Sequence, residues 1–573
     1  MRFAKIAFLL VVLVVALVGG AWMAGMFTTM LIGVDIPVGL STWWSYWQAI
    51  DTPRMQPYVG KVKAAGALGF GTPALIWLGM TLLALRPAQK SVHGDARFAS
   101  KSDVGRHGLL DEGKENGIVV GRLGSKLLRF PGQQFVILAA PTRSGKGVGI
   151  VIPNLLDYDG SVVVLDIKQE NFETTSGWRA AQGQEVYLFN PFAEDRRTHR
   201  WNPLSYVSRD PAFRVSDLQS IAAMLYPDTV DEQKFWVGQA RNAFLAFALY
   251  LFDHYDQELA LGVDEKDASF PTLGRIFRTA SGDGRDLKEQ LQEMMAASCA
   301  SRDCKIAFAG LLSQANETFA SIMGTFKEPL NAWINPVLDS ATSANDFWLG
   351  DVRRKRMTIY IGIQPNKLAE ARLIVNLLFS QLINVNTREL PQQNPDLKYQ
   401  CLLLMDEFTS IGRVDIISHA ASYMAGYNIR LLPVIQSMAQ LDATYGKEAS
   451  RTLITNHAMQ IIFAPREQQD ANDYSDMLGY TTLRKRNRSR SHGAQGSVTF
   501  SEVEERRALM LPQELKAMGR EKEVILCEGI PNPIMAEKIR YFEDPYFQRR
   551  LLKPVEVAPI ALTGERMVHA PRE

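Results

Sequence analysis

The chain has 573 residues, enough for several domains at roughly 150 residues each. Apolar residues make up 46% of it and charged residues 22%, which excludes global disorder and a fibrous repeat. The 63 basic and 61 acidic side chains give a net charge of +2, so a nucleic-acid contact would need a local basic patch. The four cysteines include no CxxC pair, which favours reduced thiols in a cytosolic body over a disulfide framework or a zinc site.

Two long uncharged segments at the N-terminus predict membrane-spanning helices, at about residues 6–32 and 64–85, joined by a periplasmic loop. A helix of about 22 residues is about 33 Å long, which is enough to cross a hydrocarbon core of ~30 Å. A cleaved signal peptide is the alternative for the first segment, because Arg2 and Lys5 precede it. The apolar character continues through Leu31 and Ile32, past any small-residue cleavage site, which favours a signal anchor.

Basic residues on the flanks of these segments predict the orientation. Arg2 and Lys5 precede the first segment, and four basic residues follow the second: Arg86, Lys90, Arg97 and Lys101. The loop between them has three, Arg54, Lys61 and Lys63. By the positive-inside rule we expect both termini and the main body in the cytoplasm. The loop residues Trp43, Trp44, Tyr46 and Trp47 predict an interfacial aromatic belt, with a partner-binding surface as the alternative.

After residue 90, short apolar runs alternate with helical stretches, which indicates an α/β fold with a mostly parallel sheet covered on both faces. Strands are predicted at Phe135–Ala139, Ser161–Asp166, Val186–Phe189, Thr358–Ile363, Cys401–Met405, Arg430–Ile435, Gln460–Phe463 and Val524–Leu526. Between them, residues 208–325 show no strand pattern and predict an inserted all-α domain. In one long helix of this insert, apolar residues recur at helical spacing: Phe235, Ala240, Phe244, Phe247, Ala248 and Leu251.

A glycine-bearing loop with a lysine follows the first of these strands. The sequence from Ala140 to Gly147 is APTRSGKG, and an apolar segment comes after it. Backbone N–H groups of such a loop bind phosphates, and the lysine reaches the β and γ oxygens. We predict nucleotide contacts from Thr142, Arg143, Ser144, Gly145, Lys146, Gly147 and Val148. Ala140 replaces the usual first glycine and Gly147 the usual Ser/Thr ligand of Mg²⁺, so a plain basic turn is the alternative for the loop alone.

Polar side chains at the ends of two later strands point to hydrolysis at that loop. LLLMDE ends in Asp406, suited to hold Mg²⁺ through its water shell, and Glu407, suited to polarise an attacking water. Gln436 ends the next strand, where an amide could sense the γ-phosphate. Asp166 also ends a buried strand, but Ile167 follows it, so we expect it to anchor a loop. Together these positions predict an ATP- and Mg²⁺-dependent hydrolase.

With these residues the chain resembles the coupling proteins of type IV secretion and conjugation systems, the TraG/TraD family. Besides the two spans, the resemblance rests on a series of motifs in order: HGDARFA (93–99), APTRSGKGVG, SVVVLDIKQE, NPL (202–204), KFW (234–236), LLLMDEFTSIG, MAGYNIRLLPVIQS, QLDATYG (440–446) and NHAMQ (456–460). It implies a RecA-like P-loop ATPase domain, split by the all-α insert, that forms a hexameric ring under the inner membrane. That ring would recruit relaxase–DNA complexes or effector proteins and deliver them to the secretion channel.

The resemblance also implies domain boundaries and residue roles. The boundaries are 1–90 for the membrane anchor, 91–207 and 326–550 for the nucleotide-binding domain, 208–325 for the insert and 551–573 for a C-terminal tail. Lys146, Asp406, Glu407 and Gln436 become the phosphate lysine, the metal and water carboxylates and the coupling glutamine. The arginine that such a ring presents to a neighbouring subunit's nucleotide would be Arg413 or Arg430.

A basic run is the remaining charged feature: Arg484, Lys485, Arg486, Arg488 and Arg490. Such a run is usually a solvated loop, and a contact with DNA or membrane phosphates is the alternative. Two other functions stay open for the whole chain. It could be a docking receptor that binds nucleotide with little hydrolysis, or a membrane-anchored DNA translocase of the FtsK type.

Overall fold

The computed structural model describes residues 2–85, 92–110, 117–228, 233–490 and 498–562. The side chains of residues 2–7, 84–85, 486, 488–490 and 498–500 fall outside that description. The chain forms two compact units, Met1–Val92 and His93–Glu573.

The N-terminal unit is a pair of long helices with a short one between them: α1 Arg2–Ile32, α2 Thr42–Gln48 and α3 Val59–Leu85. Helix α1 packs along α3 so closely that a β-carbon at Gly69 would lie 2.4 Å from the backbone of Ala24. Small residues allow this approach, as in other pairs of membrane helices. Trp43 of α2 donates its indole N–H to the carbonyl oxygen of Val62 at 3.0 Å and packs edge-on against Phe70. This tryptophan therefore fastens the loop helix to α3.

Three helical segments among the described residues are long and apolar enough to cross a membrane: Phe8–Ile32, Gln56–Leu83 and Pro365–Asn386. The first two expose most of their apolar side chains and coincide with the predicted spans. The third is half buried, and its Ile374, Val375 and Leu378 lie in the core of the second unit. It is therefore a core helix of the α/β body. Arg86 and Lys90, used above for orientation, lie outside the described residues.

The second unit contains all the strands: β1 Ile118–Leu123, β2 Lys126–Phe130, β3 Val136–Ala139, β4 Ser161–Ile167, β5 Glu185–Phe189, β6 Met357–Ile363, β7 Cys401–Met405, β8 Ile429–Ile435, β9 Met459–Ile462, β10 Tyr480–Arg490, β11 Val498–Ala508, β12 Lys522–Cys527 and β13 Ile534–Glu537. Its helices are α4 Lys101–Arg106, α5 Ile152–Asp157, α6 Glu170–Ala181, α7 Pro211–Leu225, α8 Lys234–Ala260, α9 Leu273–Ser281, α10 Leu287–Ala296, α11 Arg302–Leu312, α12 Asn316–Leu330, α13 Pro336–Ala341, α14 Leu368–Asn386, α15 Asp415–Ala420, α16 Met438–Tyr445, α17 Lys447–Thr455, α18 Gln468–Met477, α19 Pro512–Lys516 and α20 Pro545–Gln548.

Eleven strands form one sheet in the order β2-β1-β13-β12-β9-β3-β8-β7-β4-β6-β5. Strands β3 to β9 pair in parallel, and β12, β13, β1 and β2 extend the sheet antiparallel beyond β9. Every strand predicted from the sequence is present. Strands β4, β6, β7 and β8 are buried along their whole length, because helices cover both faces.

Between β5 and β6 the described residues contain helices α7 to α13 and no strand. The predicted long helix is α8, where Phe247 is buried and stacks on Phe326 of α12 with ring centroids 5.5 Å apart. The buried residues of this helical region belong to the same apolar core as those of the sheet. The boundary at 208–325 stays a prediction, as do the other domain boundaries.

The predicted C-terminal tail is in part packed on the body. Residues 551–562 belong to no helix or strand, and the N–H of Val555 donates to the hydroxyl of Ser176 in α6 at 3.1 Å. A β-carbon at Gly177 would lie 2.0 Å from the carbonyl oxygen of Lys553, so the segment lies directly against that helix. Residues 563–573 lie outside the described residues.

Candidate functional site

The sheet order brings three loops from distant parts of the sequence together. Strands β3, β8 and β7 are neighbours and parallel, so their carboxyl ends meet at one edge of the sheet. The phosphate loop follows β3, Gln436 follows β8, and Asp406 and Glu407 follow β7. Ligands of open α/β sheets bind at this edge. The structure therefore brings together the strand-end residues that the sequence singled out.

The loop after β3 has the turn geometry of a phosphate-binding loop. The N–H of Ser144 donates to the carbonyl oxygen of Pro141 at 3.1 Å, and Gly145 takes a φ of +89°, a region that favours glycine. A π-helical turn, Gly147–Val151, follows and continues into α5. Pro153 follows this turn in α5, and the helix continues through it to Asp157. A β-carbon at Gly147 would meet no atom within 4 Å, which leaves open space beside the loop.

Five side chains from these loops form one polar cluster. The ammonium of Lys146 donates to Glu407 Oε1 and lies 3.6 Å from Asp406 Oδ1. Glu407 Oε2 accepts a hydrogen bond from Gln436 Nε2 at 2.7 Å. Gln436 Oε1 accepts one from the hydroxyl of Thr142 at 2.9 Å, which closes the cluster back onto the phosphate loop.

The two carboxylates of the cluster have opposite pKa shifts. Burial raises the pKa of Asp406, and the negative charge of Glu407 adds to that effect, while Lys146 opposes it. Glu407 is less buried, and its bonds from Lys146 and Gln436 outweigh desolvation and hold its pKa below the ordinary value. Adjacent carboxylates with separated pKa values are typical of sites with divided acid–base roles.

The polar atoms around this cluster fit a magnesium–nucleotide ligand. Asp406 Oδ1 and Ser144 Oγ are buried and have no hydrogen-bond partner among the described residues. Buried oxygens of this kind cost free energy unless a ligand or water satisfies them. The described residues contain no group of three or more His, Cys, Asp or Glu that could hold a metal by themselves. A magnesium ion here would need oxygens from phosphate and water, as it does in many nucleotide sites.

Comparison with known proteins agrees with this geometry. The family model described as "Type IV secretory system Conjugative DNA transfer" matches residues 95–562. The chain belongs to this family. It is a type IV coupling protein of the TraG/VirD4 group, as the resemblance implied.

Among its relatives, protein VirD4 of Rhizobium rhizogenes is 29% identical over 488 residues, which cover 83% of this chain and 69% of that protein. Conjugal transfer protein TraG of Escherichia coli is 28% identical over 525 residues, covering 82% and 79%. The fold matches the conjugative coupling protein TrwBdeltaN70 in its unbound form, with a TM-score of 0.55 and 14% identity over 81% of this chain and 97% of that one. TrwB in complex with ADP and Mg²⁺ gives a TM-score of 0.55 at 15% identity, covering 79% and 96%.

Asp166 anchors a loop in the coupling protein, as its surroundings in the sequence predict. Its carboxylate oxygens accept hydrogen bonds from the N–H groups of Asn171 and Phe172, at 3.3 and 2.8 Å, in the first turns of α6. Burial raises the pKa of Asp166 to about 7, although the hydrogen bonds from the two backbone N–H groups act to lower it. It therefore ties the end of β4 to the helix that follows.

Arg430 is wrong as a candidate for the arginine that reaches a neighbouring subunit. It is fully buried at the amino end of β8, the opposite end of that strand from Gln436. Its guanidinium donates to the carbonyl oxygens of Gln134 and Phe130 at 2.9 to 3.3 Å. Arg413 is about half exposed, pairs with Asp415 and stays a prediction.

The basic run of the coupling protein forms a strand, and the expectation of a loop is wrong. Strand β10 pairs with β11 in a two-stranded antiparallel hairpin, and acidic residues of β11 lie across from it. Arg484 pairs with Glu504 at 3.0 Å and Lys485 with Glu505 at 2.6 Å. The side chains of Arg486, Arg488 and Arg490 lie outside the described residues. Two of the five positive charges that suggested a phosphate contact are therefore compensated within the hairpin.

Sequence reasoning missed Lys538, which contacts the loop, and the buried Glu523 of β12. Lys538 donates to the carbonyl oxygen of Ser144 at 3.2 Å, and Glu523 is completely buried on β12. No motif marks either position, and only the buried charge of Glu523 in the apolar run of β12 could have drawn attention to it.

Proposed function

We propose that the chain is an inner-membrane coupling ATPase that binds ATP and Mg²⁺ at the carboxyl edge of its sheet. Its hydrolysis would drive substrate delivery to a type IV secretion channel. The observation that carries the proposal is the closed cluster of Thr142, Lys146, Glu407 and Gln436, which joins three loops at one point. The solved structures of TrwB with ADP and Mg²⁺ and with an ATP analogue support it.

Each residue has a role that follows from its position. Thr142 to Val148 surround the phosphates with N–H groups, and Lys146 leaves Glu407 to bind the β and γ oxygens. Glu407 is placed to hold and polarise the attacking water, and Asp406 would hold the metal through its water shell. A bound Mg²⁺ supplies neutralising charge on the phosphate oxygens. Gln436 contacts both Glu407 and the loop, and it directly follows β8. A change at the γ-phosphate can therefore move Gln436 and, with it, the end of β8.

The membrane arrangement is part of the proposal. Helices α1 and α3 cross the inner membrane, α2 and its tryptophans lie on the periplasmic side, and both termini and the α/β body are cytoplasmic. The active form is a hexameric ring in which Arg413 reaches the neighbouring subunit's nucleotide. The cargo is a relaxase–DNA complex or effector proteins.

The Lys146→Ala variant of the full-length protein tests the proposal. ATP turnover should fall by at least about 100-fold and substrate transfer should be lost, because the phosphates lose their main cation. Insertion into the membrane should be unchanged. Lys522→Ala, which removes an exposed lysine of β12, is the matched control and should behave as the wild type. Full transfer by Lys146→Ala would contradict the proposal, and nucleotide binding without hydrolysis by the wild type would favour the docking receptor.

A further inference from the structure

The antiparallel part of the sheet contacts the phosphate loop through one side chain. Lys538 directly follows β13, and its own N–H is fixed by a hydrogen bond to the carbonyl oxygen of Glu521 at 2.7 Å. Its ammonium donates to the carbonyl oxygen of Ser144 at 3.2 Å and lies 3.6 Å from the ring centroid of Phe463. A cation held over an aromatic face and bonded to a carbonyl has a defined position.

This contact fixes the orientation of one peptide unit in the loop. In a trans peptide the C=O of one residue and the N–H of the next point in opposite directions. Because Lys538 holds the carbonyl of Ser144 on its own side, the N–H of Gly145 points to the other side. The φ of +89° at Gly145 then turns the chain towards Lys146. Successive N–H groups with such an alternation of backbone conformation are the anion-binding element of phosphate loops.

A buried carboxyl lies within electrostatic reach of this lysine. Glu523 is completely buried, and neither of its carboxylate oxygens has a hydrogen-bond partner among the described residues. A β-carbon at position 121 would lie 2.1 Å from Glu523 Oε1, so Gly121 leaves the space that the carboxyl occupies. Burial raises the pKa of Glu523 well above its ordinary value, and Lys538 opposes that shift. Burial also lowers the pKa of Lys538 to about 8, and Glu523 opposes that shift in turn.

We propose that Lys538 is a positioning residue of the nucleotide site, which sets the phosphate loop in its binding conformation through the Ser144 carbonyl. This inference rests on the proposed function above. Lys538 touches the loop backbone on the side away from the Gly145 N–H, so it acts through the loop. Its loss should therefore weaken nucleotide binding more than it slows the chemical step.

The test uses full-length protein in detergent and a fluorescent ATP analogue, together with steady-state hydrolysis. Lys538→Met keeps the length of the side chain and removes the donor, and we expect it to weaken analogue binding and raise KM about tenfold, with kcat within about twofold. Lys538→Arg keeps a donor at a similar reach and should restore both constants to within about twofold of the wild type. Lys522→Met, on the neighbouring strand, is the matched control and should bind as the wild type does.

Two results would overturn this inference and leave the proposed function standing. The first is that Lys538→Met binds the analogue as tightly as the wild type. The second is that Lys538→Arg binds it as weakly as Lys538→Met, which would indicate a packing role for Lys538. If the wild type and Lys522→Met bind no nucleotide, the proposed function fails and the inference fails with it. Should Lys538→Met lose its cooperative thermal transition, Lys538→Gln replaces it under the same criteria, because its amide is too short to reach the Ser144 carbonyl.

Discussion

The hydroxyl of Thr142 donates a hydrogen bond to Gln436 Oε1 at 2.9 Å, across 294 residues of sequence. The amide nitrogen of the same glutamine donates to Glu407 at 2.7 Å. Gln436 therefore touches both the loop that would hold the phosphates and the carboxylate that would activate water. One planar amide makes both contacts. A movement of the loop should therefore alter the contact with Glu407, and a movement of Glu407 should alter the contact with the loop.

Replacement of Glu407 by glutamine should separate nucleotide binding from hydrolysis. Glu407→Gln removes the base, so kcat should fall by at least about 100-fold. It also removes the charge that holds Lys146, so binding of an ATP analogue should be as tight as in the wild type or tighter. Titration calorimetry and single-turnover hydrolysis measure the two effects. A variant that hydrolyses ATP at the wild-type rate would remove Glu407 from the mechanism.

Gln436 and Thr142 should differ in the size of their effects. Gln436→Ala breaks two hydrogen bonds of the cluster and should lower kcat about 10- to 100-fold with little change in nucleotide affinity. Thr142→Val keeps the shape of the side chain and breaks only the bond to Gln436, so its loss should be smaller. The double variant should lose no more activity than Gln436→Ala, because the shared bond is already absent. Additive losses measured in hydrolysis assays would show that the two residues act independently.

The hairpin of β10 and β11 should contribute little to DNA binding as it stands. Arg484→Ser and Lys485→Ser combined with Glu504→Ser and Glu505→Ser should leave the dependence of DNA affinity on salt unchanged, because the two ion pairs that this serine variant removes carry no net charge. Loss of the acidic charges alone, in Glu504→Gln with Glu505→Gln, should raise the affinity for DNA and steepen its salt dependence. Fluorescence anisotropy at several salt concentrations measures both. A marked loss of affinity in the serine variant would restore the DNA-contact hypothesis.

His457 should make the stability of the protein depend on pH. It is buried, its Nδ1 bonds the carbonyl oxygen of Leu453 at 2.6 Å, and burial lowers its pKa from 6.5 to about 4. Below pH 6.5 the unfolded chain binds a proton at His457 that the folded protein does not bind. The free energy of unfolding therefore falls as the pH drops from 6.5 towards 4, by at most about 3 kcal/mol. Between pH 7.5 and 5.0, Tm should fall less in His457→Phe than in the wild type. An equal fall in both would contradict this.

The sequence by itself determined the parallel strands, because each is an apolar run with a helical stretch after it. It also determined the strand-end residues Lys146, Asp406, Glu407 and Gln436, since parallel strands end at one edge whatever their order. The two apolar N-terminal helices were equally predictable from length and composition.

The tertiary structure alone decided the rest, because each of these features depends on pairing between distant segments. The basic run from Arg484 forms a strand, with Arg484 and Lys485 paired to acidic residues, only when β11 lies beside it. Arg430 is a candidate only through the resemblance, and the fold buries it against the carbonyl oxygens of Gln134 and Phe130. The short strands β1, β2 and β13 have weak local patterns, so the contact of Lys538 with the phosphate loop emerges only when the antiparallel extension is assembled. Local periodicity encodes which residues are buried, whereas long-range strand pairing decides which polar groups meet.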